Sequence, residues 1–138
     1  MLPSHGKIGL NFRLLEGDTV VKAENRIKKI VRKTLSKNAK FTTSVCQGNN
    51  PSIVSDTECS QWQTLTKAVA KTWPEILISP YLMMACSDSR HYCKITDKVY
   101  RFSGMFLSKE ERGMIHGKNE RISTETLLTT VEFYSNLL

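Results

Sequence analysis

The period of the apolar residues changes several times along the chain. Residues 7–14 alternate between apolar and polar side chains, which predicts a half-buried strand. From 19 to about 36 the apolar residues recur at intervals of three and four, a spacing typical of an amphipathic helix. Residues 40–46 are rich in Thr, Val and Phe and predict a second strand. The first third of the chain therefore predicts a strand, a helix and a strand.

The clearest break is the turn-rich segment 47–52, Gln-Gly-Asn-Asn-Pro-Ser. After it, residues 55–58 match a capping box, so a helix is expected to run to about Thr72 and to end before Pro74. Residues 75–85 are β-branched and apolar, which predicts a buried strand. A polar loop over 86–97 and a short strand over 98–103 are expected next.

Two further helices are predicted near the carboxyl end. Ser108 and Glu111 form a second capping-box pattern, which predicts a short helix ending near Gly117. Ser123 is the expected N-cap of a terminal helix. The apolar positions of that helix form one predicted stripe: Leu127, Leu128, Val131, Tyr134, Leu137 and Leu138. Alternating strands and helices make α/β the predicted fold class, or α+β if the two sheets are counted separately.

Charge is concentrated in one segment of this 138-residue chain. The formal net charge is +7, and residues 19–40 alone carry eight basic residues against Glu24, which also gives +7. One interpretation is a phosphate-binding face for nucleic acid, and the other is the solvated outer face of a helix. Aromatic residues are not interleaved with these charges, so the second interpretation is favoured and nucleic acid is not an expected partner.

Hydropathy and cysteine spacing favour a globular intracellular protein. No stretch approaches the roughly 18 apolar residues that a transmembrane helix needs, so no membrane association is expected. The four cysteines, at 46, 59, 86 and 93, form no CxxC pair. They are expected to be free thiols in a reducing compartment, and cytoplasmic localisation is the prediction.

Three motifs occur in a characteristic order: Ser-Asp-Ser-Arg-His-Tyr at 87–92, Val-Tyr-Arg-Phe-Ser at 99–103 and Ile-His-Gly-Lys-Asn-Glu-Arg-Ile-Ser at 115–123. This set resembles the C-terminal end of the dinuclear-zinc exopeptidases related to aminoacylase, carboxypeptidase S and glutamate carboxypeptidase. Residues 11–20 are similar to the strand, turn and helix of that family's lid (dimerisation) domain. The resemblance implies that residues 1–47 are half of an open-faced αβ lid sandwich. Residues 48–138 would be the C-terminal α/β part of the catalytic domain.

The resemblance also implies a role for several residues. His116 corresponds to a ligand of one of two zinc ions, and Arg90 to the clamp for the substrate carboxylate. Asn119 and Glu120 would order the loop around the His ligand, and Asp88 would shape the loop of Arg90. Alternative roles remain open: His116 could close a helix, Arg90 could pair with Asp88, and His91 is interpreted as a loop-packing residue.

Other parts of the family's zinc site have no counterpart in the sequence. The family needs an early His-x-Asp pair, a bridging Asp and a Glu-Glu pair that contains the general base. Glu110-Glu111 is the only Glu-Glu here, and its place at a predicted helix start favours a capping role. One imidazole should not hold zinc tightly. The family's usual Gly-Gly-Thr or Gly-Asn-Thr is replaced by Ala85-Cys86-Ser87, which affects the expected substrate preference.

The resulting hypothesis is the C-terminal portion of a zinc-dependent exopeptidase or aminoacylase-like amidohydrolase, inactive as this chain alone. Its expected substrates are peptides or N-acyl amino acids, and a homodimer is expected for the complete enzyme. The alternatives are a non-catalytic dimerisation module or a basic nucleic-acid-binding protein. The main hypothesis further predicts that the strands at 7–14 and 76–85 lack neighbours and expose apolar surface.

Overall fold

A computed structural model describes residues 4–85 and 87–138. The expectations about Cys86, both its free thiol and its bulk beside the site, lie outside the described residues. The described chain contains five helices: α1 (Val20–Thr34), α2 (Ser60–Thr72), α3 (Ser89–Tyr92), α4 (Lys109–Met114) and α5 (Thr124–Leu137). The chain divides into two compact units, Met1–Ile53 and Val54–Leu138. The assignment of these units to a lid and a catalytic domain stays a prediction.

The first unit is built around α1. Thr19 is its N-cap, and the Thr19 hydroxyl accepts a hydrogen bond from the Lys22 backbone N–H at 3.1 Å. The amide oxygen of Asn50 accepts from the Val20 N–H at 3.0 Å and satisfies another free donor of the first turn. Thr43 donates to Glu24 at 2.8 Å, which ties the segment after the helix to its side. The helix is confirmed, and its apolar face is half-buried rather than buried.

The second unit contains the hydrophobic core, formed by α2 and α5. Its buried members are Leu65, Ala68, Val69 and Phe133, and Trp73 stacks on Phe133 with ring centroids 5.6 Å apart. Asn136 on α5 donates to the Thr72 hydroxyl at 3.0 Å. The end of α2 at Thr72 is as predicted, because Trp73 precedes a proline and leaves helical geometry.

The start of α2 differs from the prediction. The helix begins at Ser60 with Cys59 as N-cap, not at the capping box expected over 55–58. Asp56 instead accepts from the Glu58 N–H at 2.8 Å, which forms an Asx turn. The Ser55 hydroxyl bonds to the backbone of Val99, so it is not available to cap a helix. The local pattern predicts Ser55 as the start of the helix, but its side chain makes a tertiary hydrogen bond instead.

The buried stripe of α5 is also displaced from the predicted one. Thr126 and Phe133 are buried, with Thr130 and Leu137 half-buried on the same face. Leu127, Leu128, Val131, Tyr134 and Leu138 are all exposed. Thr126 and Thr130 donate to the carbonyls of Phe106 and Gly104 at 3.1 Å each, so two polar side chains face inward because the neighbouring loop offers acceptors.

The described residues contain no strand, so the α/β class predicted from the sequence is not confirmed. The segments predicted as strands, 7–14, 40–46, 76–85 and 98–103, have no sheet ladder within the described residues. A strand needs a neighbour because its N–H and C=O groups bond outside the segment. The side chains are exposed accordingly: Ile8 is 85% accessible and Leu77 is 100% accessible. The apolar exposure predicted for 7–14 and 76–85 is present.

Candidate functional site

His116 lies in a tight turn that follows α4. Ser108 and Glu111 form the predicted capping box at the start of that helix. At its end, the Gly117 N–H donates to the Met114 carbonyl at 2.8 Å. His116 adopts a left-handed backbone conformation with φ of 63°, as does Asn119. His and Asn are among the non-glycine residues that tolerate this conformation best. Residues 115–119 therefore form a turn that leaves His116 exposed.

Glu120 closes this turn. Its carboxylate accepts a hydrogen bond from the His116 backbone N–H at 3.2 Å. The contact joins the side chain to the main chain of His116 and leaves the imidazole nitrogens outside the bond. Asn119 contributes through its left-handed backbone. Both residues thus order the loop that carries His116, and their role around a bound metal stays a prediction.

Arg90 lies in α3, within the segment predicted as a polar loop. The four-residue helix is held by the Arg90 N–H to the Ser87 carbonyl at 3.2 Å and the His91 N–H to the Asp88 carbonyl at 3.0 Å. The Arg90 side chain is half-buried, and its Nε donates to the His91 ring at 3.4 Å. The alternative in which Arg90 pairs with Asp88 stays a prediction.

Asp88 and Ser89 take different parts in the α3 turn. Asp88 is the N-cap, and its side chain makes no capping hydrogen bond. Ser89 bonds through its hydroxyl to the Ser87 hydroxyl at 2.6 Å. It also accepts from the guanidinium of Arg101 at 2.8 Å. No role for Arg101 is predicted from the sequence. Arg101 belongs to the motif at 99–103, but the motif does not indicate that its side chain contacts Ser89.

A cysteine and a tyrosine meet beside the start of α2. The Tyr100 hydroxyl donates to the Asp56 carbonyl at 2.6 Å and lies 2.9 Å from the Cys59 sulfur. The hydrogen bond with Tyr100 is the main cause that lowers the pKa of Cys59. Burial, followed by the contact with Cys59, raises the pKa of Tyr100. Cys46 and Cys93 are also free thiols.

The basic residues of α1 form an open groove in the first unit. Its lining includes Lys28, Lys29, Arg32 and Lys33. Lys28 pairs with Glu24 at 2.8 Å, and this bond, together with that from Thr43, lowers the pKa of the Glu24 carboxyl. Phe41 lies beside Lys28 and Arg32 in an adjoining depression. The expectation that nucleic acid is not a partner stays a prediction.

The chemistry of the available ligands bears on the zinc prediction. Within the described residues, no three His, Cys, Asp or Glu side chains gather as a metal-binding group. His116 makes no hydrogen bond to α3 in the described part of the chain. A neutral imidazole is a ligand type that zinc prefers, and the His116 ring is exposed. The role of His116 as a zinc ligand therefore stays a prediction.

None of the helices formed by the described residues combines the length and the hydropathy required to cross a bilayer.

Comparison with curated proteins finds relatives that match the whole chain. This chain is 32% identical over 139 residues to the N-fatty-acyl-amino acid synthase/hydrolase PM20D1 of Xenopus tropicalis, and it covers 26% of that protein. It is 25% identical over 138 residues to the probable carboxypeptidase S-like 2 of Dictyostelium discoideum, again covering 26%. The human PM20D1 is 29% identical over 139 residues, of which the chain covers 27%.

The chain thus spans about a quarter of the length of the curated relatives it matches. No family model matches it, and no solved structure gives a significant match. By their names, these relatives are carboxypeptidase-like proteins and enzymes that make or hydrolyse N-fatty-acyl amino acids. The resemblance drawn from the three motifs is confirmed.

Proposed function

We propose a function on the premise that this chain is a homologue of the carboxypeptidase S-like and PM20D1 proteins. It is the C-terminal portion of a zinc-dependent amidohydrolase that cleaves an amide bond next to a free carboxylate. The substrates are peptides or N-acyl amino acids. The chain alone is inactive, because its sequence lacks a His-x-Asp pair and a Glu-Glu pair placed to supply the base. The observation that carries this proposal is the match of the entire chain to relatives of one family.

His116 supplies one zinc ligand in this proposal. The turn closed by Glu120 fixes the backbone at His116, so the imidazole leaves the surface in a restricted direction. When bound, zinc would polarise the amide carbonyl and lower the pKa of a water molecule. The base that takes the proton from that water is not supplied by this chain. His116 therefore contributes metal affinity and geometry.

Arg90 binds the substrate carboxylate. A guanidinium offers parallel N–H donors that match both oxygens of a carboxylate, and partial burial strengthens such a pair by reducing its hydration. Arg90 is half-buried, and its helical turn is restrained by neighbouring side chains. The amide bond lies next to this carboxylate in the substrate, so the contact would hold the amide at a fixed distance from Arg90. This geometry accounts for an exopeptidase or aminoacylase specificity.

The apolar surface around residues 76–85 supports the proposal that a further polypeptide segment completes the fold. Leu77 is fully accessible, and Ile76, Leu82 and Met84 are each about half accessible. Exposed apolar residues at this density mark surfaces that other protein segments cover. Relatives about four times as long as this chain supply enough sequence to cover it.

A chimaera tests the proposal. The chain replaces the matched quarter of the Xenopus PM20D1 protein, and bound zinc and hydrolysis of N-acyl amino acids are measured. We expect an active, zinc-containing protein. The variant His116→Ala should bind less zinc, losing one of the two expected ions, and its kcat/KM should fall at least roughly 100-fold, since a catalytic zinc ion has few protein ligands to spare. His5→Ala is the matched control, because His5 is an exposed imidazole that bonds to the neighbouring Ser4.

The same chimaera tests Arg90. Arg90→Lys keeps the charge and removes the planar pair of donors, so KM should rise roughly tenfold or more while zinc content stays unchanged. Equal zinc content and activity in His116→Ala and His5→Ala would refute the metal assignment. Salt-dependent binding of RNA or DNA by the 138-residue chain, abolished by substitutions in α1, would favour the nucleic-acid alternative instead.

A further inference from the structure

Arg101 contacts the α3 turn through its guanidinium group. Its Nε donates to the Ser89 hydroxyl at 2.8 Å, and its terminal nitrogen Nη2 donates to the Cys93 sulfur at 3.7 Å. The two acceptors stand at either end of α3, which spans Ser89–Tyr92. The Arg101 side chain is half-buried. A charged donor that is partly withdrawn from water makes a hydrogen bond stronger than one between neutral groups.

The α3 turn depends on such contacts. A helix of four residues is too short to be stable by itself, because nucleation costs more than one turn of hydrogen bonds returns. Its N-cap side chain makes no capping bond. The Ser89 hydroxyl, which Arg101 holds, also bonds to the Ser87 hydroxyl at 2.6 Å. Ser87 in turn offers its carbonyl to the Arg90 N–H at 3.2 Å.

The segment that carries Arg101 is itself anchored next to the core. The Ser55 hydroxyl donates to the Val99 carbonyl at 3.0 Å and accepts from the Val99 N–H at 3.1 Å. The Tyr100 hydroxyl donates to the Asp56 carbonyl at 2.6 Å. Trp62 on α2 packs against Tyr100 with ring centroids 5.3 Å apart. A continuous series of contacts therefore runs from α2, through Val99 and Tyr100, to Arg101.

We propose that Arg101 is a positioning residue, which holds the α3 turn through Ser89 so that Arg90 meets the substrate carboxylate in a fixed orientation. This inference rests on the proposed function of Arg90. Arg101 uses its Nε on the turn rather than on the substrate. Its contribution is to reduce the number of orientations that Arg90 samples before binding, which lowers the entropic cost of binding the carboxylate.

The experiment uses the 138-residue chain and nuclear magnetic resonance. Hydrogen exchange of the Arg90 and His91 amides reports on the turn, and the Arg90 Nε–H resonance reports on its side chain. In Arg101→Lys, Arg101→Gln and Ser89→Ala, exchange at these amides should rise roughly tenfold or more, since a charge-assisted bond is lost. Ser89→Thr keeps a hydroxyl and should restore protection. Arg112→Lys, on the exposed side of α4, is the matched control.

Amides of α2 and α5 serve as the internal reference. A positioning role leaves their exchange unchanged, whereas a role in overall stability raises exchange throughout the core. If the Arg90 and His91 amides exchange no faster in the Arg101 variants than in Arg112→Lys, the inference is overturned. An equal rise in α2 and α5 would overturn it too.

Titration with N-acetyl-methionine at millimolar concentration separates this inference from the proposed function. We expect the carboxylate to shift the Arg90 Nε–H resonance in the unmodified chain and to shift it several-fold less in Arg101→Lys. An unmodified chain without any shift would refute the carboxylate role of Arg90, and with it the inference. A shift that is the same in Arg101→Lys would refute the inference and leave the proposed function standing.

Discussion

The stretch 76–85 is richer in apolar residues than α2 or α5, yet among the described residues the buried side chains lie on the two helices. Phe133 on α5 is 1% accessible, whereas Leu77 is fully accessible. The difference follows from where backbone hydrogen bonds are made. A helix satisfies its interior N–H and C=O groups within itself, so two helices can pack with nothing else present. An extended segment must satisfy them on a neighbour.

The comparison indicates which parts of the chain determine their own structure. The turns that carry His116 and Arg90 are closed by short-range hydrogen bonds and by contacts to the α2 region. The stretches 7–14 and 76–85 are apolar but lack a neighbour among the described residues. Their sequence is suited to a larger sheet. The turns that carry the candidate site residues therefore form without a neighbour for these two stretches among the described residues.

The largest expected effect on stability comes from substituting the core residue Phe133. Phe133→Ala should destabilise the chain by about 3–5 kcal/mol, because it removes a fully buried ring and leaves a cavity. Leu77→Ala, at a fully exposed position, should change stability by less than about 0.5 kcal/mol. Urea unfolding followed by circular dichroism measures both. Similar losses of stability in the two variants would mean that the stretch 76–85 is packed in solution. The difference in burial between this stretch and the α2–α5 pair would then not hold.

The next effect tests how closely the 102–106 segment approaches α5. A Cβ placed on Gly104 would lie 2.7 Å from the Phe133 ring, and that ring is buried and cannot move away. Gly104→Ala should therefore cost about 1–3 kcal/mol. Gly113→Ala is the matched control, since a Cβ there meets no atom within 4 Å and α4 should gain about 1 kcal/mol in helix propensity. A Gly104→Ala variant of unchanged stability would contradict the packing of this segment on Phe133.

Helices could be predicted from the sequence because their signals are local. The Ser108 capping box, the Ser123 N-cap and the end of α2 before Pro74 all lie where the sequence predicted them. The short α3 helix was missed, because contacts from Arg101 stabilise it and no local periodicity marks it. The apolar stripe predicted for α5 does not include Thr126 or Thr130, yet these two residues lie on the face that packs inward. Their hydroxyls face inward to bond carbonyls that only the folded chain brings near.

The sequence motifs name candidate residues such as His116 and Arg90, and their roles stay predictions. The structure adds local contacts, such as the hydrogen bond from the His116 backbone to Glu120. The sequence could not show that Glu120 bonds to the His116 backbone. Nor could it pair Arg101 with Ser89, which lies twelve residues earlier. Such pairings depend on tertiary geometry, whereas motif spacing records only chain distance.

A smaller effect is expected at the helix that leads to His116. Ser108→Ala removes the side-chain acceptor of the Glu111 N–H and should destabilise α4 by about 0.5–2 kcal/mol. Ser135→Ala, on the exposed side of α5, is the control and should be nearly neutral. Hydrogen exchange at Glu111 and Arg112 measures the local change. If the His116 turn remains protected when α4 is frayed, the bond to Glu120 suffices to hold it, which would separate the turn from the helix.

The smallest effect is a pH dependence of the same helix. Hydrogen bonds from the Ser108 backbone and side chain lower the pKa of the Glu111 carboxyl from its ordinary value of 4.5. Because the folded pKa is the lower one, the stabilisation is present above pH 4.5 and is lost as the pH falls through the folded pKa. Exchange in α4 should therefore accelerate, relative to α2, as the pH is lowered below about 4.5.

The charge on Glu111 can be tested without dismantling the capping box. Glu111→Gln retains an acceptor for the Ser108 N–H, so α4 should persist while its exchange, relative to α2, becomes independent of pH in this range. Glu110→Gln, outside the capping box, should keep the pH dependence of the unmodified chain. If Glu110→Gln removed the dependence and Glu111→Gln kept it, the helix dipole rather than the capping box would be the cause. The turn of His116 would then depend on α4 through its charge rather than through the side chain of Ser108.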